Sequence, residues 1–252
     1  MQLKGYGATN VGKVRQANED AYLLDEERNL YIVADGMGGH QGGGYASQNA
    51  VTGIKEELLK MELAQDTTQP VANHNDKTPI QIRLLHALHR TNERIYQKAL
   101  EDSTLRGMGT TVTVLQFDHV FANIAHVGDS RLYLFRDGLL FQLTRDHSWV
   151  QEQVDAGILS EADAKSHPLK NIITRSMGHE CNVEVDLAKE KYQAGDNYLI
   201  CSDGLSNMVD DQDIQKVMSS MEPPAALEEL IRLALESGGL DNVTAVIVNV
   251  KE

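Results

Sequence analysis

The sequence predicts an α+β fold of antiparallel sheets with long amphipathic helices set between groups of strands. Three observations carry this expectation. Short apolar, β-branched runs recur at both ends and in the middle of the chain. Several follow one another through turns of a few residues. Three longer segments repeat apolar residues at helical spacing. Strands joined by short turns pair antiparallel, whereas a parallel pair needs a crossover of a dozen or more residues.

The strand-like runs are residues 21–24, 30–34, 110–117, 120–126, 132–135, 139–143, 197–201 and 243–250. Phe117-Asp118-His119-Val120 and Arg136-Asp137-Gly138-Leu139 read as hairpin connections, the second through an Asp-Gly turn. In residues 45–61, Ala46, Ala50, Ile54 and Leu58 fall on one helical face. Residues 79–100 place Ile82, Leu85, Ile95 and Ala99 similarly, with Pro79 at the start, where its fixed φ suits a first turn. Residues 225–237 carry Leu227, Leu230, Ile231, Ala234 and Leu235 and stop at Gly238-Gly239. The polar stretch 65–77 reads as a surface loop. Residues 145–174 stand apart: they show two short helical patterns, with Ser160 and Asp163 as a capping pair, and no strand. A helical insert between strands beside a site is expected to act as a substrate-binding flap.

The chain has 252 residues, 41% hydrophobic and 24% charged, which suits one domain spanning residues 1–252. Its formal net charge of −14 argues against nucleic acid and anionic membrane as partners, since phosphate backbones need Lys and Arg. Only Cys181 and Cys201 are present, in no metal-type spacing, which favours a reducing compartment. The start of the chain has no apolar stretch of signal-peptide type, and no apolar run reaches membrane-spanning length. The expectation is a cytoplasmic monomer.

Asp35, Asp129, Asp203 and Asp241 each stand where an apolar run meets a glycine or a small turn. One such residue is an ordinary turn former. Four carboxylates converging on one rim repel strongly unless a hard cation sits between them, which points to a multinuclear Mg²⁺ or Mn²⁺ site and to phosphate chemistry. Gly36 offers a carbonyl that a cation can approach. The stretch Asp35-Gly36-Met37-Gly38-Gly39-His40 fails as a dinucleotide fingerprint because position 41 is Gln41, and no Gly-Lys-Ser/Thr forms a phosphate loop. His40, His126, His147 and His167 lack zinc spacing. Ser130 and Ser202 adjoin acids without a nucleophile elbow.

These pieces occur in a specific order: Thr9-Asn10-Val11-Gly12-Lys13-Val14-Arg15-Gln16-Ala17-Asn18-Glu19-Asp20, then Val33-Ala34-Asp35-Gly36-Met37-Gly38-Gly39-His40, Gly107-Met108-Gly109-Thr110-Thr111, His126-Val127-Gly128-Asp129-Ser130-Arg131, Cys201-Ser202-Asp203-Gly204-Leu205 and Gly239-Leu240-Asp241-Asn242-Val243-Thr244. The order resembles the metal-dependent protein serine/threonine phosphatases of the PPM or type 2C family in their compact bacterial form, over essentially the whole chain. The resemblance implies a four-layer β-sandwich of two antiparallel sheets flanked by helices. It also implies two tightly bound Mn²⁺ or Mg²⁺ ions. Asp35 would bridge them, Gly36 would lend its carbonyl, and Asp203 and Asp241 would hold the second ion. Asp20 would hold metal-bound water, Asp129 with Asp203 a third, weaker ion, and Arg15 the substrate phosphate. Residues 145–174 match the family's flap.

Animal members carry His after the Asp-Gly pair and Met37 stands there here, so the leaving group must find its proton elsewhere; His40 is a weaker candidate than water. The reaction implied is hydrolysis of phosphoserine and phosphothreonine in proteins by a metal-bridging hydroxide, reversing a serine/threonine kinase. Two alternatives stand beside it: a catalytically weak phosphoprotein-binding regulator of the same fold, and an esterase of small phosphate compounds.

Overall fold

The computed structural model describes residues 1–38, 42–64 and 77–252. The expected loop at 65–77, apart from Lys77, and His40 lie outside the described residues. Two five-stranded antiparallel sheets face each other. One runs in the order β1 (Gln2–Asn10), β12 (Val243–Lys251), β11 (Asn197–Cys201), β8 (Arg131–Arg136), β9 (Leu139–Gln142). The other runs β10 (Asp186–Lys191), β7 (Phe121–Val127), β6 (Val112–Phe117), β3 (Leu30–Ala34), β2 (Ala21–Asp25). A small ribbon pairs β4 (Gly36–Met37) with β5 (Gly109–Thr110).

Alternation along the strands builds the layers. In β3, Tyr31 and Val33 point between the sheets, while Leu30, Ile32 and Ala34 point outward. In β12, Val246, Val248 and Val250 face the inter-sheet core, while Val243, Ala245 and Ile247 face the other way. Both faces of these strands are therefore apolar, and each sheet needs a cover on its outer side. Helices α1 (Gly42–Leu63) and α2 (Pro79–Glu101) cover one. Helices α6 (Asp211–Ser220) and α7 (Pro223–Glu236) cover the other. The result is the four-layer α+β sandwich expected from the sequence. Phe117 anchors the middle, meeting Tyr31, Tyr192 and Tyr198 edge-on with ring centroids 5.1–6.1 Å apart.

Sequence and structure differ in identifiable places. Strand β1 was not expected, because its Gly5 and Gly7 dilute the apolar pattern; the rings of Tyr31 and Tyr22 occupy the space that side chains there would need. Strand β10, Asp-Leu-Ala-Lys-Glu-Lys, is an edge strand whose charges face solvent, so it carries little hydrophobic signal. The run 110–117 is broken at Thr111, which turns from the ribbon into β6. In α2 the buried stripe runs through Ile80, Leu84, Leu88, Ile95 and Ala99, and Ile82 and Leu85 lie at its edge. Thr78 and Gln81 cap that helix reciprocally. The hairpin at Asp137-Gly138 has φ of 53° and 79°, the left-handed pair its turn requires. Residues 145–174 contain α3 (Trp149–Asp155) and α4 (Glu161–Ser166), with Ser160 accepting the Asp163 N–H.

Candidate active site

Strand register alone gathers the aspartates. Asp35 follows the C-terminal end of β3, and Ala34 pairs with Ala21, so Asp20 lies beside it at the start of β2. Cys201 pairs with Ala245, which puts Asp203, first residue of the short helix α5 (Asp203–Ser206), next to Asp241 at the entry to β12. Val127 pairs with Val112, and Asp129 follows β7 at the same rim. Asn10 pairs with Val243, so the loop that carries Arg15 leaves β1 there too. All six charged positions singled out in the sequence converge on one end of the sandwich.

The backbone of Asp35 is fixed on both sides. Its N–H donates to Thr111 Oγ1 at 3.0 Å, and its carbonyl accepts from Thr111 N and Thr110 Oγ1, each at 2.9 Å. Thr111 Oγ1 also bonds Ser130 Oγ at 2.7 Å. The next residue has no room for a side chain: a Cβ on Gly36 would lie 2.2 Å from the Gly43 carbonyl oxygen and 2.5 Å from that of Glu19. The glycine is enforced by the close approach of α1. Ser202 Oγ donates to Asp20 Oδ2 at 2.8 Å and receives the Thr244 N–H at 2.9 Å. Asn242 staples the Arg15 loop, accepting the Glu19 N–H and donating to the carbonyls of Val11 and Ala17. Arg15 Nη2 donates to Asp241 Oδ2 at 2.7 Å and is otherwise half exposed.

Burial and mutual repulsion shift the carboxylates together. Asp35 is held well above the usual carboxylate range by burial, and then by Asp20, Asp203, Asp129 and Asp241. Asp129 is raised likewise by burial, Asp203 and Asp146. Asp20 and Asp203 are pushed up to about 6, burial again being the larger cause. A hydrogen bond with the Asp35 carboxyl and the charge of Arg15 partly offset the rise at Asp203. Oδ1 of Asp20, Oδ1 of Asp129 and Oε1 of Glu19 are buried without a hydrogen-bond partner. Buried carboxylate oxygens in that condition are costly unless a cation or proton meets them.

A match to a known family decides the assignment. Residues 8–234 match the family model for protein phosphatase 2C. The chain belongs to the protein phosphatase 2C family.

Relatives in this family include protein phosphatase PhpP of Streptococcus pneumoniae, 38% identical over 97% of this chain and 96% of that one. Serine/threonine phosphatase stp of Listeria innocua is 36% identical over 95% and 93%. Among solved structures, the serine/threonine phosphatase PstP/Ppp of Mycobacterium tuberculosis matches with a TM-score of 0.85 and 35% identity over 100% of both chains. The catalytic domain of PstP in complex with two manganese ions matches with a TM-score of 0.84 and 34% identity over 99% of each.

The donor set fits the divalent metal on which phosphatase 2C enzymes depend. It is all oxygen, as hard cations require, and two of its oxygens, Asp20 Oδ1 and Asp129 Oδ1, are buried without a hydrogen-bond partner, as is the neighbouring Glu19 Oε1. Among the described residues no three His, Cys, Asp or Glu side chains form a ready-made cage, so carbonyls and water would complete a cation's shell. Sequence reasoning gave no role to Thr111, Ser202 or Asn242, although all lie inside the quoted motifs. It missed Asp146 altogether. That residue lies beside Asp129 and Asp203 in a cleft of about 410 Å³ and pairs bidentately with Arg131, a long-range pairing with no local signal.

Proposed function

We propose that this chain hydrolyses phosphoserine and phosphothreonine in proteins, opposing a serine/threonine kinase, with two Mn²⁺ or Mg²⁺ ions at the aspartate rim. The observation that carries this reading is the set of four buried aspartates, Asp20, Asp35, Asp129 and Asp203, whose protonation equilibria rise together, with Asp241 beside them paired to Arg15. Carboxylates crowded and buried in this way bind a proton more readily than usual, and a divalent cation can take the proton's place. In this reading Asp35 would be shared between the two ions and the Gly36 carbonyl would help to hold one of them. Asp203 and Asp241 would hold the other, Asp20 would hold water, and Asp129 with Asp203 would hold a weaker third ion. The same reading treats the whole chain as one phosphatase domain with residues 145–174 as its flap. Support comes from relatives named as a protein phosphatase and as serine/threonine phosphatases, and from the PstP catalytic domain, solved in complex with two manganese ions.

When bound, the cations supply charge that brings a water's pKa toward neutrality and offsets charge on the phosphoryl oxygens. The chain's own residues do the rest. Thr110 and Thr111 hold the Asp35 main chain in place, so its carboxylate would be presented to a cation without reorganisation. Arg15 donates one N–H to Asp241 and has further fork donors to offer a phosphate. Asn242 keeps its loop against the rim. Met37 has no proton to give, so the leaving oxygen takes its proton from water.

The test is turnover of a phosphothreonine peptide, p-nitrophenyl phosphate and a panel of small phosphate esters, with and without Mn²⁺, beside Asp35→Asn. The reading expects metal-dependent turnover, preference for the peptide and no turnover by Asp35→Asn. Preference for a small ester would move the assignment to the metabolite-esterase class.

A further inference from the structure

A buried histidine outside the acidic rim connects two parts of the site. His147, about 7% exposed, exchanges two hydrogen bonds with Gly128. Its main-chain N–H donates to the Gly128 carbonyl at 2.7 Å, and its Nδ1 accepts the Gly128 N–H at 3.0 Å. With Nδ1 accepting, the ring proton sits on Nε2 and points to Asp186 Oδ2 at 3.2 Å. Arg175 Nη1 lies 3.0 Å from the same Nε2 and donates to Asp186 Oδ1 at 2.7 Å; with both nitrogens carrying protons, Asp186 is the acceptor that both share. Burial holds His147 below its ordinary pKa, which keeps Nδ1 free to accept. Gly128 itself has φ of 110°, with Thr111 packed where a Cβ would be. The peptide preceding Asp129 is therefore clamped by His147 on one side and by Thr111 on the other.

The same residue closes the neck of the 145–174 segment. The Thr174 N–H donates to the His147 carbonyl at 2.8 Å, and the Trp149 N–H to the Ile172 carbonyl at 2.8 Å. His126 holds the chain two residues earlier, its Nε2–H donating to the Arg145 carbonyl at 3.1 Å. Asp186 thus ties both ends of the neck, through His147 and through Arg175.

We propose that His147 is a positioning residue that sets the Gly128–Asp129 peptide and the neck of the flap as one unit, so that binding at Asp129 depends on the His147 Nδ1 bond. The dependence rests on the reading that Asp129 helps hold a weaker cation. The bond itself does not.

His147→Asn and His147→Gln separate the two ring nitrogens. The Asn amide oxygen reaches the place of Nδ1, while the Gln amide lies nearer that of Nε2. Amide hydrogen exchange at Gly128, measured on metal-free protein, reads the bond. Calorimetric Mn²⁺ titration reads its consequence in both variants, in Asp129→Ala, and in His147→Gln/Asp129→Ala. The proposal expects Gly128 protection and the weaker Mn²⁺ phase to stay near wild type in the Asn variant. It expects protection lost and that phase weakened at least tenfold in the Gln variant, with no further loss in the double variant. Equal behaviour of Asn and Gln, or unchanged Gly128 protection in Gln, overturns the positioning role. If Gly128 behaves as expected but Asp129→Ala keeps the weaker phase, the cation reading of Asp129 fails and the dependence fails with it. Asn and Gln differ by one methylene, so the contrast survives a general loss of stability, which thermal melts of both would show.

Discussion

Arg15 shows what one residue contributes at this site. It is half exposed and, among the described residues, pairs with Asp241 Oδ2 at 2.7 Å, so its value for stability is small. If Arg15 binds phosphate as proposed, replacing it with Ala is expected to remove a charge-assisted bond to the substrate worth ~1.5–3 kcal/mol. That corresponds to roughly a ten- to hundredfold loss in kcat/KM on a phosphothreonine peptide at saturating Mn²⁺. Arg15→Lys recovers only part, because an ammonium lacks the planar fork. Unchanged kcat/KM in Arg15→Ala would reduce Arg15 to a surface partner of Asp241. Asp35 and Asp129 differ in the same way. Asp35 is flanked by four other carboxylates and locked by Thr110 and Thr111, so Asp35→Asn is expected to abolish both turnover and tight Mn²⁺ binding. Asp129→Ala is expected to lower turnover while calorimetry still finds the two tight ions; loss of those ions would reassign Asp129 to the main centre.

At the scale of elements, helices α3 and α4 are attached to the sandwich by their neck. Neither buries more than Val150 among its own residues, and Ile158, Leu169 and Ile172 are exposed between and after them. A segment with so few buried contacts can change sequence without disturbing the sheets. Exchanging residues 149–172 for those of another phosphatase 2C member, with His147 and Arg175 kept, is expected to shift phosphopeptide preference and preserve p-nitrophenyl phosphate turnover. A collapse of both with the fold intact would place the segment in the catalytic core. Trp149, the chain's single tryptophan, stacks near His167 with centroids 5.1 Å apart and supplies an emission signal for the segment.

For the whole molecule, the acidic rim trades stability for binding. A carboxylate whose folded pKa is raised binds its proton more tightly in the folded state. Its contribution is therefore present at low pH and is lost as pH rises through the folded value. For Asp20 and Asp203, each pushed up to about 6, that loss falls between about pH 4 and pH 6 and is complete by neutrality. Metal-free protein is expected to carry this deficit at pH 7.5, and Mn²⁺ to reverse it. A ligand at a hundred times its Kd adds about 2.7 kcal/mol by mass action. The rise in Tm on adding Mn²⁺ should therefore be larger at pH 7.5 than at pH 5.5, where protons compete for the same oxygens, and chelator should remove it at both. A Tm indifferent to millimolar Mn²⁺ at pH 7.5 would count against a metal site at the rim.

By itself the sequence determined the local chemistry. Strands that alternate, or are apolar on both faces, must pair and be covered; Asp137-Gly138 must turn; and Asp35, Asp129, Asp203 and Asp241 must end up at strand ends, since each follows or precedes an apolar run. The ordered motifs carried Asp20 and Arg15 into the same set. The tertiary structure decided what no local pattern encodes. Strand register placed those ends on one rim, and packing assigned the edge strand β10, whose charges gave no sequence signal. The buried stripe of α2 shifted toward Ile80 and Leu84 because the position of a neighbouring sheet, not periodicity alone, selects the face. Long-range bonds gave Thr111, Ser202, Asn242, Asp146 and His147 their work. Periodicity is a property of a few neighbouring residues. A hydrogen bond between residues such as Ser202 and Asp20, 182 positions apart, exists only once the chain has folded.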